Sequence, residues 1–243
     1  MTIRIAMWSG PRNISTAMMR SFGSRADCFV TDEPFYGAFL KATGEAQPLA
    51  DETMASMDCD WGSIAQTMRG DPPGGAPIWY QKHMPHHMVG GISIDDFPDH
   101  RHAFLIRDPA RVIASYAAKG VNVVFENLGF GRMADYFERE ADRQGKAPPV
   151  IDSTDVLRDP NGVLSQLCTA LDIRWDEAML RWKPGRRPED GVWGRHWYNR
   201  VEESSGFAPP PGDEAEVPEA SRAVHEQALP YYEKLAAHRL RPA

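Results

Sequence analysis

The strongest constraint on the fold lies at the start of the chain. Ile3-Arg4-Ile5-Ala6-Met7-Trp8 is an apolar run of strand length, and it enters a turn written Ser9-Gly10-Pro11-Arg12-Asn13-Ile14-Ser15-Thr16. Ile14, Ala17, Met18 and Phe22 then recur at helical spacing, so a strand, a tight loop and a helix follow one another directly. That arrangement aims backbone N–H groups and a helix N-terminus at one point, where an anion is welcome. Arg12 adds a fixed positive charge; Asn13, Ser15 and Thr16 add polar donors. The loop is not the standard Walker pattern, because the second Gly and the Lys are both missing. The plainer alternative is an ordinary strand-to-helix turn in which Ser15 caps the helix.

A second segment repeats the pattern. Ala103-Phe104-Leu105-Ile106-Arg107 has strand character and leads into Asp108-Pro109-Ala110-Arg111-Val112-Ile113-Ala114-Ser115-Tyr116. Asp108 is a natural N-cap and Pro109 fits the first helical position. Helical spacing puts Ser115 on the side of Asp108 and Arg111. Arg107 and Ser115 are thus placed to grip a second anion from two directions. The alternative is an Arg paired with a carboxylate and a Ser on the helix surface.

Strand-like runs near 3–8, 28–32, 78–83, 102–107 and 149–153, alternating with helical patterns, predict an α/β three-layer sandwich around a central, mostly parallel sheet. Another helix is predicted near 161–171. Ligands then gather at the carboxyl ends of the strands, where Arg12, Asp32, Glu33, Lys82, His83 and Arg107 lie. With 243 residues the chain is expected to form one domain, 1–243. The Pro-, Gly- and acid-rich stretch 206–218 is expected to be an exposed linker, and 219–240 a C-terminal helix that Pro230 ends or kinks.

Net charge of −7 argues against a broad polyanion-binding surface, so nucleic acid is not an expected partner. No apolar run reaches spanning length, and Ser9-Gly10-Pro11-Arg12 interrupts any leader-like core, so no membrane partner is expected either. Three widely spaced cysteines point to free thiols in a reducing compartment, and the cytoplasm is the expected location. No metal is expected: His83, His86 and His87 have no carboxylate or Cys at ligand spacing, and His86 and His87 read as solvated loop residues.

Taken together, the two anion segments resemble the sulfotransferases that use 3′-phosphoadenosine 5′-phosphosulfate (PAPS). The resemblance implies a P-loop nucleotide-kinase-like fold. It implies that the loop with Arg12, Asn13, Ser15 and Thr16 holds the 5′-phosphosulfate, and that Arg107 and Ser115, eight residues apart, hold the 3′-phosphate. It extends to Pro149-Val150-Ile151-Asp152 and Asp155-Val156-Leu157-Arg158-Asp159-Pro160, which look like the family's later strand and turn. Tyr80-Gln81-Lys82-His83-Met84-Pro85 is similar to the family's third-strand segment, which makes His83 a candidate base, with Gln81 where the family has Lys and Lys82 one position later. Some branches of the family instead use a Glu at the end of the second strand, which here is Glu33. Lys183 to Arg187 and Asp190 to Arg195 look like a divergent form of the family's late basic loop, which makes Arg186 and Arg195 candidate 3′-phosphate ligands. The other reading of this segment is aromatic packing with a solvated basic face.

Sulfuryl transfer needs a base at the acceptor and positive charge at the leaving oxygen. Glu33 and His83 are the two base candidates, with a lean to Glu33; Lys82 is a further catalytic candidate, and Arg12 is placed at the leaving oxygen. A sulfuryl group carries less charge than a phosphoryl group, so a divalent metal is less needed. The expected function is metal-free sulfotransfer from PAPS to a hydroxyl or amine of a small acceptor. The alternatives are a nucleotide-dependent kinase or NTPase on the same fold and a non-catalytic nucleotide-binding module. Pocket walls are expected from 34–60, 84–98 and 120–145, with Phe35, Tyr36, Phe39, Trp61, Phe125 and Phe130 as candidates. Oligomeric state is left open.

Overall fold

The computed structural model describes residues 2–121, 123–210, 212 and 215–242. Six strands form one sheet: β1 (Ile3–Ser9), β2 (Cys28–Asp32), β3 (Ile78–His83), β4 (Arg101–Ile106), β5 (Val150–Asp152) and β6 (Arg239–Leu240). Their order is β2-β3-β1-β4-β5-β6, and every pairing is parallel. Helices cover both faces, which makes the predicted three-layer α/β sandwich. β1 reads as a near-continuous apolar run and the first half of β3 is apolar or aromatic, because a parallel sheet hides both faces; the buried second half of β3 is Gln81-Lys82-His83.

Strand parity divides the core into two layers. Ile5 and Met7 of β1, Ile78 and Tyr80 of β3, and Ala103 and Leu105 of β4 point to one side. There they meet Met18, Met19 and Phe22 of helix α1 (Ser15–Phe22) and Val163, Leu164 and Leu167 of the helix Pro160–Ala170. Ala6, Trp8, Trp79, Phe104 and Ile106 point to the other side, under the helix Phe130–Gln144 and the C-terminal helix Arg222–Ala236. The same alternation decides where every residue at the end of β3 goes.

The stretch 219–240 differs from the expected single helix. It holds a 3-10 turn (Glu219–Ser221), the helix Arg222–Ala236 and then β6, which adds to the sheet beside β5. The helix also runs through Pro230. An interior Pro costs about 3 kcal/mol of helix propensity, offset here by burial of Ala228, Leu235 and Ala236 against the core and by the bond from Tyr232 to Asp152 Oδ2 at 2.9 Å. Residues 206–218 are described only in part. Phe207 packs on Trp182 at 5.1 Å between ring centroids, Val217 packs against the core, and Gly206 pairs with Arg181.

Candidate active site

A cavity of about 860 Å³ opens at the carboxyl ends of β1, β2, β3 and β4. Its first wall is the loop after β1. Gly10 is needed there because a Cβ would meet the carbonyl oxygen of Leu128 at 2.7 Å. Arg12 follows with φ of 54°, a left-handed conformation that a non-Gly residue holds only at a cost of order 1–3 kcal/mol. Asn13 pins the loop, donating from Nδ2 to Leu105 O at 3.0 Å and accepting from Ile14 N at 2.9 Å. The N-cap of α1 is Ile14, one residue before the Ser15 of the plain-turn alternative, and no side chain caps it. The N–H groups of the first turn are thus left for a group in the cavity.

Arg12 and Arg107 meet above this helix end. Arg12 Nε donates to Ser115 Oγ at 3.1 Å, and Arg107 Nη1 donates to Arg12 O at 2.6 Å. Asp108 caps the helix Pro109–Ala117, accepting from Ala110 N and Arg111 N at 2.8 and 3.3 Å, which carries Ser115 to the rim. Burial lowers both guanidinium pKa values; Arg200 adds to this at Arg12, and Arg111 and Arg12 add to it at Arg107. The Trp197 ring lies within cation–π range of two cations, 5.5 Å from Arg12 and 4.9 Å from Lys119. Like charges thus converge with neutral partners, a disposition that an anion relieves. Asn13, Ser15, Thr16, Arg107 and Ser115 all line the cavity.

The opposite end is acidic. Lys82 is buried, and its ammonium donates to Asp32 Oδ1 at 2.7 Å, Glu33 Oε1 at 2.5 Å and the Tyr198 hydroxyl at 2.9 Å. Tyr198 in turn donates to Asp32 Oδ2 at 2.6 Å and accepts from Trp193 Nε1 at 3.1 Å. Burial opposes the charge on Lys82, but the two carboxylates outweigh it and hold its pKa well above the usual value. Burial and then Glu33 push Asp32 up, although Lys82 pulls it down. Glu33 has φ of 42°, a second strained non-Gly residue at this cavity. Its Oε1 is held by Lys82, and its Oε2 lies 3.9 Å from His87 Nδ1, beyond hydrogen-bond length.

His83 is corrected. It is one residue after Lys82 on β3, so it points through the other face of the sheet. Its ring stacks on Trp8 at 4.8 Å and Nε2 meets Gln81 Oε1 at 3.2 Å, away from the cavity. Gln81 and His100 lie in the same pocket of the core, with His100 Nε2 also 3.2 Å from Gln81 Oε1. Arg186 and Arg195 are corrected as well: both are exposed and neither lines the cavity. In the short helix Gly194–Trp197 the spacing of four puts Trp193 and Trp197 on the inner side and turns Arg195 outward. The segment contributes Trp193, Trp197, Tyr198 and Arg200 instead, and Asp190 ties it to α1 through a buried pair with Arg20 at 2.5 Å.

The acceptor walls also differ from expectation. Tyr36 and Phe39 of helix α2 (Tyr36–Thr43) line the cavity, whereas Phe35, Trp61, Phe125 and Phe130 pack in or against the core, and among the described residues none from 120–145 reaches the cavity. His87 is buried, its ring 4.6 Å from Tyr36 and 4.8 Å from Phe39, and burial, then Lys82 and His83, holds it well below the usual imidazole range. His86 and His87 line the cavity and are not solvated loop residues. Among the described residues no cluster of His, Cys, Asp or Glu suits a metal ion, and no helix is long and apolar enough to cross a membrane.

Comparison with known proteins adds to this geometry. A protein of Arabidopsis thaliana named branched-chain-amino-acid aminotransferase-like protein 1 is 36% identical over 234 residues, covering 96% of this chain and 42% of that protein. Its companion, aminotransferase-like protein 2, is 34% identical over the same length and 41% covered. The chain therefore spans about two fifths of the curated relatives it matches. Among solved structures, a sulfotransferase from Alicyclobacillus acidocaldarius superposes with a TM-score of 0.55 over 99% of this chain and 97% of that one, at 14% identity. The sulfotransferase domain of an olefin synthase from Synechococcus PCC 7002 superposes with a TM-score of 0.53 over 93% and 94%, also at 14% identity. Both likenesses concern the fold. The sulfotransferase domain family matches residues 3–239, nearly the whole chain, and this chain belongs to that family.

Proposed function

We propose that the protein transfers a sulfuryl group from PAPS to a hydroxyl or amine of a small acceptor, without a metal. The observation that carries this reading is the polarity of one cavity: Arg12, Arg107 and Ser115 converge with an uncapped helix end on one side, and Glu33, set by Lys82, stands on the other. The residues fit a bisphosphorylated nucleotide, because the half-buried guanidinium groups of Arg12 and Arg107 have neutral hydrogen-bond partners and repel one another. Arg107 and Ser115 would hold the 3′-phosphate; Arg12, Asn13, Ser15 and Thr16 would hold the 5′-side. When bound, the donor supplies a sulfuryl group on a phosphate leaving group.

Glu33 Oε2 takes the acceptor's proton as the acceptor oxygen or nitrogen bonds to sulfur and the bond from sulfur to the phosphate oxygen breaks. Lys82 keeps Glu33 in its strained conformation through Oε1 and leaves Oε2 directed away from the pair. Asp32 and Tyr198 hold Lys82 in turn, so the late segment is coupled to the base. Arg12 and the loop N–H groups meet the charge that develops on the leaving oxygen. The three cysteines stand as free thiols, which supports a cytoplasmic setting.

The test is donor-dependent mass gain in a screen of small alcohols, phenols, amines and sugars, combined with thermal shift. Adenosine 3′,5′-bisphosphate should raise Tm and AMP far less, and EDTA should leave turnover intact. Equal stabilisation by the two nucleotides, or an absolute Mg²⁺ requirement, would transfer the reading to a kinase or NTPase. Nucleotide binding with no transfer to any acceptor would favour a non-catalytic module.

A further inference from the structure

The acceptor end of the cavity has a charge of its own. The residues that 33–47 and 84–87 contribute to the cavity lining include two carboxylates, Glu33 and Glu45, and no Lys or Arg. The adjacent Lys82 is already engaged by Asp32 and Glu33, one cation against two acids. Glu45 is half-buried, and its hydrogen-bond partners are amides: Gln47 Nε2 at 2.7 Å and Asn127 Nδ2 at 3.2 Å. Amides orient a carboxylate without neutralising it. His86 and His87 supply no compensating charge, since burial holds both well below the usual imidazole range. After burial, Glu33 and Glu45 are the next causes that push up the Tyr36 hydroxyl, so the field of both acids reaches this wall.

A second observation points to a ligand here. His87 is 3% exposed, lines the cavity, and its Nδ1 has no hydrogen-bond partner in the protein. It faces Glu33 Oε2 across 3.9 Å. A hydroxyl at this gap can bond to both groups, whereas their direct contact is too long.

We infer that this wall is the acceptor subsite and that it takes a small amino alcohol, with its ammonium at Glu45 and its hydroxyl between Glu33 and His87. The inference rests on the sulfotransfer reading and deepens it. The acceptor hydroxyl gives its proton to Glu33, its oxygen bonds to sulfur, and adenosine 3′,5′-bisphosphate leaves with the electron pair of the broken sulfur–oxygen bond. The ammonium stays charged throughout and serves for recognition. Tyr36 and Phe39 supply an apolar surface beside it, and an anionic acceptor is repelled by the same two carboxylates.

The experiment is calorimetric titration of three probes into the protein saturated with adenosine 3′,5′-bisphosphate: 2-amino-1-phenylethanol, its N-acetyl derivative and mandelate. The ammonium probe should bind about 10-fold more tightly than the N-acetyl probe, close to 1.4 kcal/mol, and mandelate most weakly. Glu45→Gln should bring the ratio of the first two close to one, and Glu45→Asp should restore part of it, with Tm checking the fold of both variants. Equal or tighter binding of the N-acetyl probe or mandelate overturns the inference, as does absence of binding by all three or a ratio that Glu45→Gln does not change. Failure of the bisphosphate itself to bind counts against the donor reading. The titration without nucleotide still decides the charge preference of the acceptor end.

Discussion

Lys82 and His83 are neighbours on one strand, yet they belong to different chemical worlds. Lys82 enters the cavity and joins Asp32, Glu33 and Tyr198 in a charged cluster. His83 enters the opposite layer and joins Gln81, His100 and the ring of Trp8. His102 completes that second region, accepting from Trp8 Nε1 at 3.0 Å with its Nε2 on Phe97 O at 3.0 Å, which fixes a neutral tautomer. Both regions are buried and polar. One holds a charge surplus open to a cavity, and the other holds neutral rings shut in the core. Burial of a titratable side chain therefore does not mark a functional site by itself; the direction in which the strand presents it does.

The sharpest way to break this comparison is to change one residue in each region. Glu33→Gln should cut turnover by about 10²–10⁴-fold and leave adenosine 3′,5′-bisphosphate affinity nearly unchanged. His83→Gln should keep kcat near that of the wild type and lower Tm, since it disturbs a buried hydrogen bond and a stacked ring worth about 1–3 kcal/mol together. Steady-state kinetics with an acceptor from the screen and a melting curve for each variant decide it. Loss of turnover in His83→Gln with Glu33→Gln still active would exchange the roles of the two regions.

Next in size is the nucleotide end. Arg107→Ala removes a charge-assisted hydrogen bond of about 1.5–3 kcal/mol, so bisphosphate affinity should fall roughly 10- to 100-fold. AMP affinity should change much less, and titration of both nucleotides reads the difference. A parallel loss for both would mean that Arg107 shapes the loop through its bond to Arg12 O instead of reading a 3′-phosphate.

The histidine region makes a pH prediction. Burial lowers the pKa values of His83, His100 and His102, with His100 brought to about 3. An unfolded imidazole titrates near 6.5, so below that pH the unfolded chain binds more protons than the folded one. Stability from these groups is complete above about pH 6.5 and declines as pH falls toward about 3. Tm should drop through this window, and His100→Gln should flatten the drop. A slope that His100→Gln leaves unaltered would place the acid sensitivity in groups other than His100.

The smallest expected effect belongs to Tyr198→Phe. It removes one hydroxyl from the Lys82 cluster, costing on the order of 1 kcal/mol of stability, or about 2–4 °C in Tm for a chain of this size. Turnover should fall only a few-fold, because Lys82 retains both carboxylates. A loss as large as that of Glu33→Gln would show that the late segment controls the base directly.

Local sequence determined the frame of this protein. The strand–loop–helix at Arg12 and the Asp108-Pro109 cap were legible because each depends on residues close in the chain: turn chemistry, capping and helical spacing. So were five of the six strands. The last strand, Arg239–Leu240, is two residues long and has no periodicity to announce it; only the open edge of β5 makes it a strand. Tertiary structure alone decided which side of β3 faces the cavity, that Tyr198 lies 2.6 Å from Asp32, 166 positions away in the chain, and that Arg186 and Arg195 turn outward while Trp193 and Trp197 turn in. The parity of a strand is plain from its sequence, but the identity of each face depends on what the rest of the chain packs against it. Contacts of that range are settled by the closing of the core, and no local pattern carries them.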